Sequence, residues 1–113
     1  MPQTPTLAVE QPALSGEPVG GFSEEVLSIA DRFGVRHLLP RLYGEIQALF
    51  PEPIEVEVEW DPEISDSPKI VFDVVTDLDR QQRLKREQIW ITRILDLAGA
   101  DSLLFVFTAY PHA

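Results

Sequence analysis

The chain has 113 residues, 44% of them hydrophobic and 25% charged, the composition of one soluble domain around one hydrophobic core. It contains no cysteine, which excludes a disulfide framework, a thiolate metal site and a cysteine nucleophile. A formal charge of −10 makes phosphate backbones unfavoured partners and a basic protein a favoured one.

Residues 1–21 carry Pro2, Pro5, Pro12 and Pro18, then Gly20 and Gly21, with apolar residues scattered without period. They are expected to form a flexible N-terminal tail ahead of a single domain over residues 22–113. No lysine or arginine precedes Arg32 and no apolar stretch is long enough to span a bilayer, so no secretory signal or membrane segment is predicted and the expected location is the cytoplasm.

The first helix has a readable start. Ser23 is a good N-cap, Glu24 and Glu25 sit where the helix dipole favours anions, and Phe22 is placed to staple against Leu27. It should end near Gly34, with Val26, Leu27, Ala30 and Phe33 inward. A second helix follows, with Pro40 in its first turn and Leu39, Leu42, Tyr43, Ile46, Leu49 and Phe50 along one face; Pro51 and Pro53 stop it.

From Ile54 the period changes to two. Ile54, Val56, Val58 and Trp60 alternate with Glu55, Glu57 and Glu59, the pattern of a half-buried strand. A turn-rich loop from Asp61 to Pro68 leads to a second strand, Lys69 to Thr76, whose β-branched residues suit a central position; the two should form a hairpin. Thr76 or Asp77 is expected to cap a long helix reaching about Ala98, with Leu84, Ile91, Ile94, Leu95 and Ala98 on its inner side. Gly99 ends it, and Leu103 to Thr108 forms the last strand, reached by a right-handed parallel crossover. The predicted fold is α+β, in the order α-α-β-β-α-β, with a small mixed sheet of about three strands covered by helices.

Two surfaces stand out. Strand alternation puts Glu55, Glu57 and Glu59 on one side, about 7 Å apart, and Asp73 joins them if the register of the second strand allows. Such a face suits docking of a basic partner; its alternative use is a solvated surface that discourages edge-to-edge aggregation. The second surface lies on the long helix, where five of the nine basic residues fall between Arg80 and Arg93. Arg83, Arg86, Trp90 and Arg93 form a flank with the composition of an interface hot spot or a phosphate track, set against the plain reading of a charged outer helix face with Trp90 packing at its boundary.

The chemical inventory is thin. Glutamates two apart on a strand do not converge on one ion, so no metal is expected there. The loop Asp61, Glu63, Ser65, Asp66 departs from a calcium loop where glycine and a bidentate glutamate are needed, because Asp66 and Phe72 occupy those positions. His37 and His112 stand beside no serine nucleophile, and Gly20 and Gly21 precede no phosphate-loop lysine, so neither a catalytic residue nor a cofactor is assigned. Asp73, the acid inside an otherwise apolar run, is the candidate for a perturbed titration.

Three functions follow. The leading one is a non-enzymatic accessory or regulatory protein, antitoxin-like or an adaptor, that binds a basic protein partner or a second copy of itself. The others are a small enzyme with an acidic general base near Asp73, and a weak nucleic-acid binder acting through the arginine-rich helix.

Overall fold

Ser23 opens the first helix, α1 (Glu24–Arg32), by accepting a hydrogen bond from the Val26 amide, with Glu24 and Glu25 in the first turn. The computed structural model describes residues 15–63 and 67–111. Val26, Ile29 and Ala30 are the buried residues of α1; Leu27 is half-buried and Phe33 is exposed, so Ile29 takes the inward position expected of Phe33. Gly34, at φ 70°, reverses the chain there, as the sequence predicts. The ring of Phe22 packs edge-on against Tyr43.

The second helix, α2 (Leu38–Leu49), carries Pro40 in its first turn and buries Leu39, Leu42, Tyr43 and Ile46, with Phe50 buried just beyond its end. Of the segment expected as a tail, residues 1–14 lie outside the described residues. Within the described part, the Gly16 amide donates to the Pro40 carbonyl and the Gly21 amide to the Pro18 carbonyl.

The strands β1 (Ile54–Trp60) and β2 (Pro68–Thr76) form an antiparallel hairpin, and β3 (Phe105–Pro111) pairs with β2 in parallel, giving the order β1-β2-β3. Between β2 and β3 runs the long helix α3 (Arg80–Ala98), capped by Asp79, whose carboxylate accepts from the Gln82 amide. The cap therefore lies two or three residues beyond the one predicted. A 3₁₀ turn, Gly99–Leu104, follows α3 and delays the last strand, which then extends three residues past Thr108. The mixed α+β order α-α-β-β-α-β is the one the sequence predicts.

The three described helices pack on one side of the sheet, around Ile54, Ile70, Phe72, Val74 and Phe105. The centre of that packing is aromatic. Trp90 lies 5.7 Å from Phe107 and 6.4 Å from Phe72, and Phe50 lies 5.2 Å from Phe107 between ring centroids.

The orientation of α3 corrects the sequence reading. Trp90 and Ile94 are its buried residues and Leu97 is half-buried, whereas Leu84, Ile91 and Leu95 are 44%, 54% and 55% exposed. Apolar residues occupy so wide an arc of this helix that the domain covers only part of it. The indole of Trp90 wins the inward position because its ring fills the space between Phe72 and Phe107, and Leu84, Ile91 and Leu95 then lie about 100° around the helix.

Candidate functional site: the open face of the sheet

The register decides which side chains share the face away from the helices. Glu55 stands opposite Asp73, Glu57 opposite Val71 and Glu59 opposite Lys69; on the other side of β2, Val71 pairs with Val106, Asp73 with Thr108 and Val75 with Tyr110. Directly opposed residues project to the same side. The structure thus brings together all four acids singled out in the sequence, Glu55, Glu57, Glu59 and Asp73, and surrounds them with apolar side chains. Val71 is buried among its neighbours, while Val75, Val106 and Tyr110 are exposed.

Tyr110 and Val106 were not anticipated as part of this surface. Their signal is the alternation Val106, Thr108, Tyr110 in β3, which becomes informative only once the pairing of β3 with β2 is known.

The electrostatics are one-sided. Lys69, the cation that the described strands place on this face, donates from Nζ to the carbonyl oxygen of Leu103 at 2.7 Å. The carboxyl of Asp73 is pushed up from 3.8 to about 6, chiefly by burial, then by a hydrogen bond with the Glu57 carboxyl, and further by the negative charges of Glu57, Glu59 and Glu55. A hydrogen bond between two carboxyl groups needs a proton on one of them. Asp73 Oδ1 is buried and has no hydrogen-bond partner among the described residues.

The cost of that charge gives a test. An acid whose titration is raised in the folded state contributes full stability below its unfolded value and loses it as pH rises through the folded value, here between about pH 4 and 6. Asp73→Asn is therefore expected to stabilise the protein by about 1 kcal/mol at neutral pH, after allowance for the solvent screening of a half-exposed group. The gain should vanish near pH 4, as read by urea unfolding at the two pH values. A gain independent of pH would locate the effect elsewhere.

At one end of the face lies a groove of about 420 Å³, lined by Glu52, Pro53, Glu55, Asp73, Val75 and Tyr110. Glu52 is held there by β2 and the turn after it: one carboxylate oxygen accepts from Thr76 Oγ1 at 3.0 Å and from the Asp77 amide at 3.2 Å. The groove offers negative charge beside an aromatic and an aliphatic wall, a setting for a guanidinium or ammonium group on an apolar stem. Among the described residues, no three acidic or histidine side chains are gathered so as to hold a metal ion.

The second surface does not assemble as the sequence suggests. Trp90 is 4% exposed and belongs to the aromatic core. Arg86 donates from Nη1 to the Leu49 carbonyl at the end of α2, and Arg93 Nε lies 3.7 Å from the buried carboxylate of Glu45. Arg83 is half-buried. Arg86 and Arg93 tie α3 to α2 and Trp90 ties it to the sheet, so the stacking residue of the nucleic-acid reading is not available to a ligand. His112, Ser65 and Asp66 lie outside the described residues.

No helix among the described residues is long and apolar enough to cross a membrane. No protein-family profile, no curated protein and no solved structure matches the chain.

Proposed function

We propose that the open face of the sheet docks a basic, amphipathic segment of a protein partner, and that the chain acts as an accessory or regulatory subunit rather than as an enzyme. One observation carries this reading: β2 has apolar side chains on both sides, yet the described helices cover only one. Parallel strand pairs are usually buried on both faces. Here the second face presents Val75, Val106 and Tyr110 around the buried Val71, beside a row of carboxylates, which suits an occupant that is apolar and positively charged.

The test uses a synthetic Leu/Lys amphipathic helix of about 18 residues, with a Leu/Glu peptide of the same pattern as control. Amide NMR shifts should move at Val71, Asp73, Val106 and Tyr110 with the basic peptide alone. Reversal of Glu55, Glu57 and Glu59 to lysine should weaken its binding at least tenfold, about 1.4 kcal/mol. Equal affinity in the reversed variant, or shifts confined to other surfaces, would overturn the assignment.

A second reading is favoured by the groove and the raised titration of Asp73, both of which a general base requires. It predicts a small-molecule ligand seen by NMR that is lost in Asp73→Asn and kept in Glu59→Gln. A ligand indifferent to Asp73, or none found in a broad metabolite set, would remove it.

A further inference from the structure

We propose that the open sheet face of one copy is filled by the outer stripe of α3 from another, so that the chains assemble head to tail. The inference rests on the docking reading above and names its occupant. Three observations meet in it.

First, no described element covers the sheet on the side of Glu55, Glu57, Asp73 and Val75. Second, α3 has an apolar stripe that the described residues of its own domain leave uncovered: Leu84, Ile91 and Leu95 follow one another at seven and four residues, all three exposed to solvent. Spacings of three, four and seven place side chains on one helical face.

Third, the charges match across these two surfaces and across no like pair. Arg83, Arg86 and Arg93 turn toward α2 and the sheet, and the cations left beside the stripe are the exposed Arg80 and Lys85 at its N-terminal end, with the half-buried Glu87 and the exposed Asp96 farther along. Sheet against sheet would oppose the carboxylates of two copies, and α3 against α3 would oppose Arg80 and Lys85 to their equivalents. Sheet against helix sets glutamates against arginine and lysine. Charges at contact dominate over the overall repulsion, because salt screens separations beyond about 8 Å at physiological ionic strength. A helix laid on the bare face also completes a helix–sheet–helix sandwich.

Such a contact joins two different patches and is heterologous, so it propagates as a ring or an open chain. That property supplies the test, with Glu55→Lys/Glu57→Lys disabling the sheet face and Leu84→Asp/Ile91→Asp disabling the stripe. Circular dichroism first establishes that both variants are folded; the substituted residues are all exposed.

In analytical ultracentrifugation the wild type is expected to grow in mass with concentration, and each variant alone to stay monomeric. A mixture of the two should stop at a one-to-one dimer, since each variant retains the patch the other lacks. Self-association of the sheet variant, or a mixture with no heterodimer beside an associating wild type, would overturn the head-to-tail contact. A wild type that stays monomeric to about 1 mM while still binding the Leu/Lys peptide would overturn self-assembly and leave the docking face standing. Failure of both would remove both.

Discussion

Trp90→Ala should destabilise the protein by about 4 kcal/mol, the cost of removing a buried large aromatic side chain. The indole is buried and sits among Phe72, Phe107 and Ile94, and no described element is placed to refill the space. Total stabilities of single domains run to about 5–15 kcal/mol, so the variant should sit close to the unfolding threshold. Urea denaturation followed by far-UV circular dichroism measures it. Ile91→Ala, one residue along the same helix, should cost less than about 1 kcal/mol because Ile91 is more than half exposed. A reversed order of the two costs would mean that α3 presents its other face to the sheet.

The second large effect concerns Arg93. Its guanidinium reaches the carboxylate of Glu45, whose side chain is 7% exposed, while its own is 54% exposed. Breaking a fully buried ion pair costs about 3–5 kcal/mol because a charge is left behind, and an exposed pair is worth under about 1. Arg93→Ala lies between these limits, near 2 kcal/mol, and the loss belongs mainly to the stranded glutamate. Adding Glu45→Leu should therefore restore at least half of it, whereas two independent contributions would make the double variant worse than either single one. Thermal unfolding of the four proteins in a double-mutant cycle distinguishes these outcomes.

These residues also show where the sequence was legible. β1 could be read to the residue because its alternation has one period and its two sides differ fully in polarity. Asp73 could be singled out because a lone acid in an apolar run needs a reason to be there. What could not be read was the pairing that sets Asp73 opposite Glu55, since register follows from the turn and the packed face together.

The face of α3 was misread for a related reason. Trp90, Ile94 and Leu97 lie on one arc and Leu84, Ile91 and Leu95 on the next, while Arg83 and Arg86 fall within the arc that turns inward. A helical wheel weighs both arcs alike. The choice is made by the aromatic rings of β2 and β3, which belong to other parts of the chain. Arginine placed inward is not contradictory once Arg86 is seen capping a free carbonyl at the end of α2.

The strand order has a consequence for how the molecule comes to be folded. β1 and β2 are neighbours in the chain, and their hairpin needs only a short loop, but β3 must cross the length of α3 to reach the other edge of β2. On a ribosome, β2 is made well before its second neighbour, at about 5–20 residues per second. During that interval an apolar strand has one edge of unpaired amides and carbonyls, the condition under which strands recruit foreign partners. Phe105 and Phe107 arrive last and complete the ring cluster around Trp90, so the late closure of this edge, rather than formation of the hairpin, is the step at which a slow chain would aggregate.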